Sequence, residues 1–318
     1  MPRILTIVDH TVQPVGTIFD WTMKANVLSI VIAVFLVVFL TACQCAPNER
    51  ATPDPSAPLV IGYGESVFSI GEILYSSQFE DPQNWTLQIQ TSDSSTIESA
   101  AFVNGILDLY MPDRGCTAWL NRAFEGPIAV VYDVYCPEET LKDKGIHARD
   151  INNFWHATHP SLSGNLFDSS LYTGKFTSYH KMHGYYASTG GGHDIGNKNT
   201  RFRRYPREKD NAFVSHIALN HRDGNPDYLI TPGNWHTVQL VAFNGLAQYI
   251  VDGKVVYEIK PGDQVSIENG NQPAIEKEYT LNEFPPHTKG HIGLRMVRTH
   301  HRYANFKVYR LTPLEVTK

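Results

Sequence analysis

Residues 235–259 read WHTVQLVAFNGLAQYIVDGKVVYEI, and this stretch decides the fold. Apolar and polar residues alternate from Thr237 to Phe243, Ala247 to Val251 and Val255 to Ile259, the period of strands with one buried face. Asn244-Gly245 and Asp252-Gly253 stand between the runs as tight hairpin turns, where glycine accepts positive φ without a steric cost. The same alternation recurs at Thr86–Gln90, Ile106–Tyr110, Ile128–Tyr135 and Phe306–Leu311, and no long helical pattern appears. Many short strands with hairpin connections predict an all-β chain folded as a two-sheet sandwich or jelly roll.

The order of the pieces sharpens this. Phe79-Glu80-Asp81 with Trp85 resembles the opening strand of concanavalin-like sandwiches. Trp235–Leu240 followed by Tyr249–Val255 resembles their central hairpin, and Gly293-Leu294-Arg295 through Asn305–Tyr309 resembles their closing strand. The resemblance covers most of the chain beyond its N-terminal segment and implies a concanavalin-like β-sandwich, which does not by itself assign an activity.

Upstream, Val27 to Leu40 is apolar, is preceded by Lys24 and is closed by Thr41 and Ala42 before Cys43. That is the layout of a secretory signal, and the run is shorter than the ~20 apolar residues a spanning helix needs. Leu40-Thr41-Ala42-Cys43 resembles a bacterial lipobox, which implies acylation of Cys43 and a lipid-anchored protein of the outer membrane, facing periplasm or cell surface. An uncleaved anchor is the alternative and would still export the domain. The acidic residues Asp9 and Asp20 are unusual in a signal, so Met23 is a better start. Ala46 to Pro58 is rich in Pro, Asn, Asp and Glu and reads as a flexible tether. The expected organisation is a signal over 1–42, a lipidated N-terminus and tether over 43–58, and one catalytic jelly roll over 59–318.

A formal charge of -5 is mild for 318 residues and argues against nucleic acid, whose binders carry a strongly basic face. Two cysteines, Cys116 and Cys136, remain in the folded part. If Thr117–Phe124 and Ile128–Tyr135 pair about Gly126, the register sets Cys116 opposite Cys136, and an exported domain keeps such a disulfide. Closing a loop of this size stabilises by about 3 kcal/mol. The alternative is two unpaired thiols.

Carbohydrate lies across one concave sheet in such sandwiches, so strands with polar and aromatic outer faces matter. Three segments qualify: Asn152–His159, Tyr179–Tyr186 and Thr200–Tyr205. If Phe154 and Phe202 point to the core, then Asn153, Trp155, Arg201 and Arg203 point out, because neighbours on a strand alternate faces. Sugar rings stack on Trp or Tyr, and the carboxylate of an acidic sugar is bound bidentately by Arg. Trp155, Tyr185, Arg201 and Arg203 supply that combination, with Asn153 beside them. His180 with a phenol from Tyr179, Tyr185 or Tyr186 supplies a base and an acid, and arginine neutralises the charge developing beside a carboxylate. This is the chemistry of β-elimination from a uronic acid, with His180 as base, Tyr185 as proton donor and Arg201 and Arg203 as clamp. Each part has a structural counterpart. The arginines could pair with Glu208 and Asp210, His180 could be a buried structural residue, and one of Tyr185 and Tyr186 must face the core. Gly190-Gly191-Gly192 leading to His193 and Asp194 reads as a loop at the rim. No tight metal motif joins His156, His159, His300 and His301, so no cofactor is expected; a structural calcium remains open.

Tyr179-His180-Lys181 through Gly184-Tyr185-Tyr186 is similar to the tyrosine- and lysine-bearing strand of jelly-roll alginate lyases, and Thr200–Arg204 is similar to their arginine strand. The spacing differs, and their Gln-containing histidine motif is absent. The series of Tyr-His, Tyr-Tyr, Gly-Gly-Gly and Arg-Phe-Arg-Arg-Tyr more closely resembles exported domains of polysaccharide-degradation loci, including the oligosaccharide dehydratases of ulvan breakdown. That resemblance implies a carbon–oxygen lyase on acidic oligosaccharide or polysaccharide, acting as polysaccharide lyase or dehydratase. A glycoside hydrolase needs two flanking carboxylates, and no Glu-x-Asp-x-Glu strand is present. A non-catalytic carbohydrate-binding lipoprotein would use the same aromatics and arginines.

Overall fold

The computed structural model describes residues 60–91, 98–138, 148–192 and 196–314. The signal, Cys43, the tether, and His193 and Asp194 of the rim loop lie outside the described residues. In chain order the strands begin with β1 (Val60–Tyr63), β2 (Ser66–Ser77), β3 (Trp85–Ile89), β4 (Ser99–Val103), β5 (Ile106–Leu120), β6 (Phe124–Glu125) and β7 (Ile128–Tyr135). Then come β8 (Ile151–Thr158), β9 (His183–Gly191), β10 (Asn199–Tyr205), β11 (Glu208–Lys209), β12 (Ala212–Phe213) and β13 (His216–Leu219). The last are β14 (Trp235–Phe243), β15 (Leu246–Val251), β16 (Lys254–Ile259), β17 (Gln264–Glu268), β18 (Ile275–Glu278) and β19 (Lys289–Pro313). All pairings are antiparallel, and helix is limited among the described residues to short 3₁₀ turns such as Phe176–Tyr179.

Two layers emerge from the register. One sheet runs β3–β5–β19–β8–β9–β10–β13–β17–β18. The other runs β1–β2–β19–β7–β14–β15–β16, with β4 joined through the first half of β5. β5 and β19 are long enough to pass through both layers. In β19 the register shifts between Val297 and Thr299, where Arg298 takes φ +50°, and again between Ala304 and Lys307, where Asn305 takes φ +55°. The expected meander is present as β14–β15–β16, with Asn244-Gly245 and Asp252-Gly253 all at positive φ in its turns. The side chains between the layers form the main core, including Trp85, Ala118, Tyr132, Trp155, Phe202 and Leu294.

Three expectations about local structure are corrected. β5 and β7 do not form a hairpin about Gly126, because β19 pairs with both and lies between them. Cys116 consequently faces Met296 of β19, and Cys116 and Cys136 are free buried thiols, not a disulfide. Phe79 is not in a strand; it takes φ +54° in the turn after β2, and the next strand starts at Trp85. Tyr179 and His180 precede their strand, ending a 3₁₀ turn three residues before β9 begins at His183.

Candidate functional site

On β8, β9 and β10 alternate residues face opposite ways, and cross-strand partners form rows. Asn152, Ser188 and Arg201 are one row on the outer face; Phe154, Tyr186 and Arg203 are the next. Ile151, Trp155, Tyr185, Ala187 and Phe202 point the other way, into the core. This corrects half of the expected face assignment. Phe202 does point inward, so Arg201 and Arg203 point out as expected, but Phe154 points out and therefore Asn153 and Trp155 point in.

Phe154 misleads because it is apolar, outward and still buried. Residues 159–182 fold over the outer face and bury it together with Trp119, Leu166, Tyr172, Tyr179, Met182 and Tyr205. Gln88 ties this roof down. Its Nε2 donates to Leu166 O at 2.6 Å, and its Oε1 accepts from Trp119 Nε1 and Tyr179 Oη, both at 2.8 Å. Arg295 donates to Gly174 O at 2.8 Å and lies over the rings of Phe176 and Tyr179.

What remains open is a cleft of about 340 Å³ lined by Asn152, Tyr186, Ser188, Arg201 and Arg203, with Phe176 from the roof and Arg149 and Asp150 ahead of β8. Of the residues assigned a role in the elimination scheme, Arg201 and Arg203 line it, as does Tyr186, the alternative phenol, while His180, Tyr185, Asn153 and Trp155 do not. Asn153 is fully buried, accepting from Tyr132 Oη and donating to Ala187 O. Trp155 packs against Tyr185 and Phe202, with ring centroids 5.4 and 6.0 Å apart. Tyr185 is 1% exposed and its hydroxyl accepts from His287 N, so its phenol is turned away from the cleft. Its neighbour Tyr186 supplies the phenol on the outer face.

His180 stands beside the cleft rather than in its lining, its ring set edge-on to Phe176 at 5.6 Å. Nδ1 donates to Glu208 Oε1 at 2.7 Å, and Nε2 accepts from Arg207 at 3.1 Å. Burial holds its pKa below the usual histidine value against the opposing bond to Glu208, so the ring is neutral and both nitrogens are engaged.

The two arginines differ. Arg201 reaches both oxygens of Asp223 at 2.5 Å and is neutralised by it. Arg203 has no carboxylate partner among the described residues; its guanidinium lies 5.9 Å from the Tyr186 ring centroid, and its Nε is buried without a hydrogen bond. Arg149 pairs with Asp150 at 3.1 Å and donates to Gly192 O. Burial raises the Asp150 carboxyl above its ordinary pKa, although Arg149 and a bond from Asn152 oppose this. Tyr186 Oη donates to Asn152 Oδ1 at 3.4 Å, and burial pushes its phenol up in spite of Arg203.

Arg149, Asp150, Asn152 and Ser188 were missed in the sequence. The run Arg149-Asp150 directly before a strand was the available signal, since charged residues beside a strand facing a cleft need a partner or a ligand. The remaining histidines do not converge: His156 bonds His287 O, His159 meets Ser161, His300 pairs with Asp108 and His301 with Tyr303.

The family profile described as Domain of unknown function (DUF6250) matches residues 111–270. No curated protein matches the chain. Among solved structures, a protein of unknown function with a galectin-like fold from Bacillus subtilis aligns at 17% identity over 77% of this chain and 99% of that one, with TM-score 0.51, a likeness of fold. An endo-β-1,3-glucanase from Pyrococcus furiosus aligns at 9% identity over 81% and 100%, with TM-score 0.45. A carbohydrate-binding module from Bacillus subtilis aligns at 9% identity over 71% and 95%, with TM-score 0.39.

Proposed function

The chain belongs to the DUF6250 family, whose matched segment spans β8, β9 and β10, which carry the polar floor of the cleft, and from that premise we propose that it acts on acidic carbohydrate by β-elimination. The observation that carries the reading is Arg203. A cation on a cleft floor, over a tyrosine ring and without a carboxylate partner among the described residues, is a prepared counter-ion for an anionic ligand. Arg203 clamps the uronate carboxylate and Asn152 and Ser188 hydrogen-bond the sugar. Tyr186, in place of Tyr185, faces the leaving oxygen. His180 fixes Arg207 and Glu208 beside the clamp and is a positioning residue in this scheme. Whether a sugar or water leaves from C4 separates polysaccharide lyase from oligosaccharide dehydratase, and an ulvan-type substrate fits either. Acylation of Cys43 would hold the domain at the outer membrane, where such glycans arrive.

Asp150 is the one carboxyl that lines the cleft among the described residues, which disfavours a hydrolase working through two carboxylates ~5–9.5 Å apart. A second reading, a carbohydrate-binding lipoprotein without turnover, is favoured by His180, whose ring nitrogens are both occupied.

The test is to incubate the full-length protein with poly- and oligosaccharides of uronic acids, including ulvan, following ultraviolet absorbance of the unsaturated uronate and product mass. Rising absorbance with loss of one water means dehydratase, and rising absorbance with shortening means lyase. Shortening without absorbance overturns the reading in favour of a hydrolase. Binding without any product leaves the lipoprotein that only binds.

A further inference from the structure

The clamp and the phenol leave the elimination without a proton acceptor, since His180 lies outside the cleft lining with both nitrogens engaged. The acceptor must face the same space as Tyr186 and Arg203. Asp150 does: it lines the cleft with them, two residues ahead of Asn152 and just before β8 begins. Its backbone takes φ +60°, a left-handed conformation, and its N–H donates to Gly190 O at 3.3 Å. The opposing strand carries glycine at 190 and 191, so no side chain stands over the carboxyl; a Cβ at Gly191 would lie 3.6 Å from Asp150 Oδ1.

Asn152, which lines the cleft beside Asp150, accepts from Tyr186 Oη at 3.4 Å. The phenol, the amide and the carboxyl thus open into one cleft, where an acid and a base can meet the same bound ring. Arg149 Nε holds Asp150 Oδ2 at 3.1 Å, which orients the carboxyl and leaves its other oxygen for substrate.

We propose that Asp150 is a catalytic residue, the base that removes the C5 proton, with Tyr186 in the same cleft as the acid. This rests on the β-elimination reading. The C5–H bond breaks and its proton passes to Asp150 Oδ1. The electron pair left at C5 forms the C4–C5 double bond, and the C4–O bond breaks with its pair on the departing oxygen. Tyr186 Oη gives that oxygen its proton, and exchange with water returns Asp150 to the carboxylate and Tyr186 to the phenol. Arg203 holds the carboxylate attached to C5 throughout and offsets the charge that develops on it. The burial that lifts the Asp150 pKa strengthens it as a base.

The experiment compares full-length wild type, Asp150→Asn and Asp150→Ala on a tetrasaccharide ending in a uronic acid. It reads kcat by ultraviolet absorbance, Kd by calorimetry and folding by circular dichroism. The expected result is a loss of at least 100-fold in kcat for both variants with Kd within threefold of wild type, and partial recovery of Asp150→Ala by added formate. Formate can also replace the ion pair with Arg149, so acetate, a stronger base, is compared with it: recovery that rises with the basicity of the added carboxylate marks a proton acceptor, and recovery indifferent to it marks a structural ion pair and overturns the assignment. Full turnover in Asp150→Asn overturns the assignment, as does a loss of binding equal to the loss of turnover without formate recovery. Absence of elimination by the wild type on every uronate tried overturns the β-elimination reading itself.

Discussion

The guanidinium of Arg203 lies 5.9 Å from the ring centroid of Tyr186, its cross-strand partner on β9, and the two form one edge of a polar floor in an otherwise apolar face. Arg201, one row away on the same strand, is held by Asp223 at 2.5 Å. Two arginines with the same orientation thus have opposite electrostatic status.

Arg203→Ala is expected to weaken binding of a uronic-acid oligosaccharide by about 10- to 100-fold, the scale of a lost hydrogen bond to a charged group. Arg201→Ala should cost less than about threefold, since its charge is already satisfied and its pair is partly exposed. Calorimetry on both variants checks the ranking, and equal losses would show that Asp223 releases Arg201 to the ligand.

Gln88→Leu should detach the roof. The variant leaves Trp119 Nε1, Tyr179 Oη and Leu166 O without their partner, a loss of about 2–3 kcal/mol and a melting point lower by about 5–10 °C. Hydrogen exchange should quicken over residues 166–182 first. Unchanged exchange there would mean that the aromatic packing around Phe154 suffices to hold the segment.

Both cysteines should react with alkylating agents only after unfolding. Cys116 and Cys136 are fully buried, and burial pushes the Cys116 thiol up to about 12, which keeps it protonated and unreactive. Mass spectrometry should count both sites modified in denaturant without reductant, and reductant should leave the unfolding midpoint unchanged. A midpoint that falls with reductant would restore the disulfide.

His236 and Asp252 should give stability a pH dependence. Nδ1 of His236 lies 2.7 Å from Asp252 Oδ2 at the start of the β14–β15–β16 meander. Burial acts to lower the His236 pKa, but the bond to Asp252 overrides it and the net shift is upward; the same bond overrides burial at Asp252 and lowers its carboxyl. A raised histidine stabilises fully below its unfolded value of ~6.5 and loses that contribution as pH rises through the folded pKa. A lowered carboxyl stabilises above ~3.9 and loses its contribution as pH falls through the folded pKa. The difference in urea midpoint between wild type and Asp252→Asn should therefore be largest between these limits and shrink on both sides. A difference that does not vary with pH would mean that the pair is held by geometry alone.

Local signals were enough for the strands. The meander from Thr237 to Ile259 was legible because its turns are two residues long and its period of two is unbroken. The partners of β5 and β7 were not legible. A hairpin between neighbours in sequence is the cheapest pairing by loop closure, yet β19, some 160 residues away, supplies the strand that lies between them.

The amino-acid sequence by itself determined that the folded part is a β-sandwich, and that Arg201 and Arg203 share one face of one strand, because alternation is a property of the strand alone. Only the tertiary structure decided which face of β8 is outward, since residues 159–182 bury Phe154 as completely as the core buries Trp155. The same long-range packing exchanged Tyr185 for Tyr186, turned His180 toward Glu208 and brought Asp150 into the cleft. Burial identifies a residue's neighbours, and a roof of apolar side chains makes an outer face indistinguishable from an inner one until the chain has folded back over it.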